Sequence, residues 1–288
     1  MLALHTLEGN RQRLDGGAMF GNCPRAVWER WSPPDSQGRI DLACRSLLVD
    51  EGHRKVLLET GIGAFFEPKL RERFGVVESE HVLLRSLAAL GLTDESIDFV
   101  VLSHLHFDHA GGLLAAFAEG AGPRLLFPKA RFVVGQEALA RATTPHVRDR
   151  ASFIPGLVEL LHESGRLLVV RGEHLDELGP AYHFTETFGH TPGMLHTTVR
   201  GPGGSAFFGA DLVPGTPWVH APITMGYDRA PELLIDEKTR ILDGLARDQT
   251  WLFYTHDAAV SASLVEKDPS GRFRPKGSVP RFDGLSLD

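Results

Sequence analysis

Hydrophobic and polar positions along this chain follow two periods, one of two residues and one near 3.6, and the switches between them predict its elements. Residues 40–49 and 55–60 read as strands paired across Asp50-Glu51-Gly52-His53 as a hairpin. Apolar residues at 83, 84, 87 and 90 repeat at the helical period and predict a helix over 80–90, with Gly91 placed to end it. Residues 93–96 form a connection with a short helical turn, 98–103 a strand, and 113–117 the start of the next helix. Strands are expected at 131–134, 167–171, 182–187, 195–199, 205–208 and 251–254, and helices at 136–141, 152–162 and 231–246. Gly201-Pro202-Gly203-Gly204 closes a second hairpin, and the polar stretch 143–150 reads as a flap. Residues 1–38, punctuated by Gly16-Gly17, Pro24, Pro33-Pro34 and Gly38, read as an irregular arm or cap; the last twenty or so residues, rich in Gly, Pro and Arg, also read as irregular. Hairpins followed by helices recur in both halves with no repeat of 20 to 50 residues. The expectation is one domain over 1–288, an α/β (α+β) chain with two related sheet layers covered by helices.

Several predicted strands end in residues that bind metals. The strand at 98–103 runs into His104-Leu105-His106-Phe107-Asp108-His109 and then into Ala110-Gly111-Gly112, small residues that allow a helix to begin. In an extended segment alternate side chains share a face, so His104 and His106 point the same way, while Asp108 and His109 fall where the chain turns and can face a second ion. Other strand ends deliver His190, Asp211 and His256. Imidazole and carboxylate together suit zinc, iron, manganese or cobalt, and strand ends are where sheet proteins gather ligands.

Composition narrows the function without naming it. With 42% hydrophobic and 23% charged residues the chain is an ordinary globular one. Its net charge of -7 disfavours a nucleic-acid partner. Two cysteines, Cys23 and Cys44, build neither a disulfide framework nor a thiolate metal site. The first twenty residues are broken by His5, Glu8, Arg11 and Arg13, so no signal core is read there; no run has the length of a membrane span, and cytoplasmic residence follows by default.

The combined pattern resembles the metallo-β-lactamase superfamily. The motifs are His-x-His-x-Asp-His at 104–109, Gly-His-Thr-Pro-Gly at 189–193, Gly-Ala-Asp at 209–211 and the terminal His256, so the resemblance covers about residues 40 to 260. It implies an αββα sandwich with two mixed β-sheets flanked by helices and two divalent metal ions at one edge, zinc first among the candidates. By the same resemblance His104, His106 and His190 hold one ion, Asp108, His109 and His256 the second, and Asp211 bridges them. The segments 103–112, 38–43 and 211–228 are most similar to the lactonase-like branch, which includes quorum-quenching lactonases and methyl-parathion-type hydrolases.

Two departures stand out. Glu59-Thr60-Gly61 occupies the place of the family's Asp-Thr-Gly, whose carboxylate normally orients the ligand loop from behind. Glutamate is one methylene longer, so the loop must shift or a water must intervene. Met194 stands where many relatives carry histidine, and His196, two places on, is a second candidate to support the ligands.

The resemblance implies a hydrolase in which a hydroxide shared by two metals attacks a lactone or other carboxylic ester, with Asp211 and Asp108 holding it and Asp211 or a nearby acid passing a proton to the leaving group. Pro214 replaces a tyrosine that some lactonases carry three residues after the bridging aspartate, and His220 and Tyr227 are the candidates for its role. Trp28, Trp31 and Phe107 are the candidate pocket residues, although tryptophans three apart also pack one face of a short helix. His5, His53, His81, His146, His162, His174 and His183 lack ligand spacing and read as structural or solvated. The partner expected is a small ester or lactone, with no nucleic acid and no membrane, and a homodimer is open. The alternatives are a phosphotriester or phosphodiester hydrolase using the same site and a metal-binding scaffold with little catalysis.

Overall fold

The computed structural model describes residues 2–288. Its larger sheet has seven strands in the order Asp283–Ser286, Ala3–Leu7, Ser46–Asp50, Lys55–Leu58, Phe99–Leu102, Arg131–Gly135 and Leu167–Val170. The last four of these run parallel. Their sequences are near-continuous apolar runs such as Phe-Val-Val-Leu, as a strand covered on both faces requires. The second sheet has six strands in the order Phe273–Val279, Ala262–Lys267, Trp251–Phe253, Gly204–Phe208, Met194–Gly201 and Tyr182–Thr187.

Alternation within the strands assigns the layers. Val49, Val56, Val101 and Val133 join Leu195, Val199, Phe208 and Phe253 in the core between the sheets. Their neighbours Leu48, Leu57, Val100 and Phe132 turn to the other face and meet Leu83 and Leu87 of the helix Val82–Ala89, Leu139 of Gln136–Thr143 and Leu161 of Leu157–Glu163. The second sheet is covered by the helix Pro231–Asp248 through Leu234, Ile241, Leu242 and Leu245. The result is an αββα sandwich.

Several elements differ from the sequence expectation, each for a physical reason. Within the segment read as an irregular arm, Ala3–Leu7 pairs antiparallel with Ser46–Asp50 inside the large sheet, and Gln12–Asp15 pairs with Arg39–Leu42 in a separate ribbon. Ala3–Leu7 is buried almost throughout, so no polar face marks it as a strand, and Thr6 bonds Ser261 across the core at 3.2 Å. The single strand expected at 40–49 is two strands, because the chain between them pairs with the end of the second sheet: the Ala43 and Arg45 amides donate to the carbonyls of His256 and Thr255. The C-terminal residues likewise form strands, Phe273–Val279 and Asp283–Ser286. Past Gly111–Leu113, a 3-10 turn, the chain is extended where a helix was expected, and the helix expected from 152 begins only at Leu157, after Pro155 and Gly156.

Candidate metal centre

The site assembles where strands of both sheets end. Phe99–Leu102 delivers Ser103 to His106, the short helix Phe107–Ala110 carries Asp108 and His109, and the turn after Tyr182–Thr187 carries His190. Asp211 follows Gly204–Phe208, and His256 follows Trp251–Phe253. Glycines allow the close approaches this needs. A Cβ on Gly112 would lie 2.0 Å from the Thr60 carbonyl oxygen, and one on Gly189 would lie 2.4 Å from Leu234 Cα, so any side chain would push the ligand turns off their supports.

Four of the five imidazoles are fixed by the nitrogen they turn away from the centre; His106 instead turns Nδ1 inward, and its buried Nε2 has no hydrogen-bond partner. His109 Nδ1 lies 2.8 Å from Glu59 Oε2, His190 Nδ1 2.8 Å from Asp228 Oδ1, and His256 Nδ1 2.7 Å from the Ala43 carbonyl. His104 Nδ1 lies 2.8 Å from Ser103 Oγ, which in turn donates to Glu59 Oε1. Donating at Nδ1 leaves a lone pair on Nε2, and these lone pairs converge. His190 Nε2 is 3.1 Å from Asp211 Oδ2 and 3.4 Å from His106 Nδ1, while His104 Nε2 is 3.0 Å from that same His106 atom. On the other side Asp211 Oδ1 is 3.1 Å from His256 Nε2 and 3.3 Å from His109 Nε2, with Asp108 oxygens 3.8 Å from both rings. Asp211 Oδ1 is nevertheless buried with no hydrogen-bond partner.

Acceptors that face acceptors at 3 Å repel unless a cation lies among them. His104, His106, His190 and Asp211 form one group of atoms that could hold a metal ion, and Asp108, His109 and His256 another. The two oxygens of Asp211 divide between them. The donor set therefore fits hard or borderline divalent ions.

The electrostatics agree. Burial would lower the pKa of His109 and His256, but Glu59 and Asp211 for the first and Asp211 for the second raise both well above the ordinary imidazole value. His190 is likewise opposed by burial yet raised to about 9 by Asp211 and Asp228. His104 and His106, farther from the carboxylates, are lowered well below that value by burial and by the neighbouring imidazoles. The centre thus calls for positive charge, and protons and metal ions compete for it.

Glu59 resolves the question its extra methylene raised. Its side chain is fully buried and reaches Ser103 and His109 directly, so no water intervenes, and its backbone sits at φ 61°, in the left-handed region. His196 is buried but bonds no ligand. It joins Thr187 Oγ1 at 2.9 Å to the Phe208 carbonyl at 3.3 Å, tying three strands together, and burial lowers its pKa to about 4.

The predicted pocket residues separate. A cavity of about 400 Å³ has His106, Asp108, His190, Asp211 and His256 on its floor and Phe107 and Tyr227 on its walls. Trp31 and His220 line a neighbouring cavity of about 620 Å³ that meets the first only at Leu42 and His256. Trp28 lines neither; it is 3% exposed and stacks on Phe20 at 5.4 Å, the alternative that spacing allowed. The polar segment read as a flap does border the metal cavity, through Arg148 and Asp149, and Arg148 ties it to the carbonyls of Gly226 and Asp228.

Asp228, Ser103 and the Ala43 carbonyl were not singled out from the sequence. Asp228 is 1% exposed and also accepts from the Met225 amide, so it spans its own loop and His190. No local spacing marks it, since its partner lies 38 residues away.

Solved structures with this architecture include a protein of Staphylococcus aureus described as a probable metal-dependent hydrolase, 26% identical, with TM-score 0.84 over 96% of this chain and 98% of that one. The dizinc quorum-quenching lactonase AidC is 20% identical, with TM-score 0.76 over 97% of this chain and 94% of its own. The hydrolase AbOPH is 18% identical with the same TM-score and coverage. The model of the metallo-beta-lactamase superfamily matches residues 39–272. The chain therefore belongs to the metallo-beta-lactamase superfamily.

Proposed function

We propose that this protein uses two divalent ions, zinc first among them, to hydrolyse a lactone or another carboxylic ester. The observation that carries the reading is the division of Asp211, with Oδ2 turned to His190 and Oδ1 to His109 and His256, which suits a carboxylate bridging two cations. The lactonase neighbours, one of them dizinc by its description, support it. When bound, such a pair of ions lowers the pKa of a water to near neutrality and polarises a carbonyl oxygen.

The chain's own residues supply the rest. Asp211 and Asp108 hold the polar floor, and Leu42, Phe107 and Met225 give the cavity an apolar wall that keeps bulk water from the ester. Tyr227 faces this cavity, and burial, with Asp108 and Asp15, raises its phenol to about 12, so it stays a hydrogen-bond donor at neutral pH. That places it to donate to the oxygen that becomes negative as the carbonyl is attacked, or to the alkoxide released as the C–O bond breaks. His220 lines the neighbouring cavity, which shares His256 with this one.

Metal analysis coupled to a hydrolase panel tests the reading. Two bound divalent ions per chain with turnover of lactones or aryl esters is expected. Turnover of aryl phosphoesters alone would move the protein to the phosphoester class, and a metal-loaded protein that hydrolyses none of these would leave a scaffold.

A further inference from the structure

Two of the residues that line the metal cavity are arginines, in a chain whose net charge is -7. Arg148 and Arg229 both line it. The Arg148 guanidinium bonds only backbone, at 2.9 Å to the Gly226 carbonyl and 3.3 Å to that of Asp228. Arg229 has His146 Nδ1 at 3.3 Å and Asp149 at 4.0 Å. Arg141 donates to one oxygen of Asp149 through Nε at 2.9 Å and Nη2 at 2.7 Å, and the other, Oδ1, is buried with no hydrogen-bond partner. Asp228 is taken by His190 and the Met225 amide, and Asp108 and Asp211 face the histidines of the floor. One carboxylate is thus shared by Arg141 and Arg229, and Arg148 has none.

The same cavity is also lined by the apolar Leu42, Phe74, Phe107 and Met225. The Arg148 bonds to the loop at 226–228 hold that guanidinium in place before any ligand arrives, which reduces the cost of ordering it. A planar fork with free N–H groups matches a carboxylate.

We propose that the substrate of this centre bears a carboxylate apart from the reacting carbonyl, and that Arg148 and Arg229 bind it. The inference rests on the hydrolase reading above for the word substrate, but not for the binding of the anion. A half-ester of a dicarboxylic acid or a carboxylated lactone would give the two guanidiniums an anionic partner, which a neutral acyl lactone does not.

Calorimetry on zinc-loaded protein compares pentanoate with succinate, glutarate and adipate, so that every probe offers one carboxylate to the floor and only the dicarboxylates offer a second. At least one dicarboxylate is expected to bind about tenfold tighter than pentanoate, and Arg148→Gln and Arg229→Gln are each expected to remove most of that margin, weakening the dicarboxylate by a larger factor than pentanoate. In turnover, the same substitutions should raise KM for 4-nitrophenyl hydrogen glutarate by a larger factor than KM for 4-nitrophenyl butyrate. Equal binding of all four acids, or variants that weaken pentanoate as much as the dicarboxylates, overturns the subsite. If the binding margin stands and no ester is cleaved, the hydrolase reading fails and the anion site survives; cleavage of neutral esters with no dicarboxylate margin does the reverse.

Discussion

Replacing Glu59 by glutamine tests how the two halves of the centre are linked. This carboxylate accepts from His109 Nδ1 on one oxygen and from Ser103 Oγ on the other, and Ser103 in turn receives the His104 Nδ1 proton. One anion therefore sets the tautomer of a histidine in each group of metal-binding atoms. Glutamine keeps the shape but offers one acceptor and one donor. If its NH2 faces Ser103, that hydroxyl must donate to His104, and the proton of His104 moves to Nε2, where a metal would bind. If the NH2 faces His109, two donors collide and the His109 proton is displaced to Nε2 in the same way. Either orientation sacrifices one ligand. Losing such an orienting partner typically lowers metal affinity about 10- to 100-fold, or roughly 1.4 to 2.8 kcal/mol. Competition titration against a chromophoric chelator should show one ion of the pair weakened by that factor and the other nearly unchanged. Glu59→Gln protein that binds both ions as tightly as the wild type would refute the tautomer argument.

Asp228→Asn should act on the other flank, because His190 loses the anion that accepts its Nδ1 proton; about a tenfold loss of affinity for one ion is expected in the same titration, and no loss would detach Asp228 from the centre. Lys238 is fully buried, donates to the Ile223 carbonyl, and has its pKa lowered to about 7 by burial, with Asp228 opposing. Between that value and the ordinary 10.5 the unfolded chain holds a proton the folded one has released, so stability contributed at this position rises with pH across that window. Urea unfolding at pH 7 and pH 8.5 should show the wild type gaining roughly 1.5 kcal/mol relative to Lys238→Met, and parallel curves would contradict the shift. Trp28→Ala removes a core side chain and should cost about 3 to 5 kcal/mol in denaturant unfolding, with KM unchanged at subsaturating denaturant; a changed KM would return Trp28 to the pocket.

What the sequence made legible is local. His104 to His109 sit within six positions, and alternation in a strand is enough to turn the first two to one face. Apolar runs such as Phe99–Leu102 and the amphipathic helix Pro231–Asp248 carry their own period. Burial on both faces erases that period, which is why Ala3–Leu7 passed for an irregular arm although it lies inside the large sheet.

The parts that escaped are those set by contacts across the chain. Nothing near Trp28 and Trp31 distinguishes the one that stacks on Phe20 from the one that lines a cavity, because the difference lies in the position of the loop around His220. Asp228 is in the same position: its role is fixed by the turn bearing His190, which the start of the last helix holds through the close contact of Gly189 with Leu234. The Glu59 departure shows the opposite case. Glu59 adopts a left-handed backbone at φ 61°, at a cost of order 1 to 3 kcal/mol, and its side chain spans Ser103 and His109 at once. One carboxylate thus braces both halves of the centre, and the residue that carries it also carries the strain of a left-handed backbone.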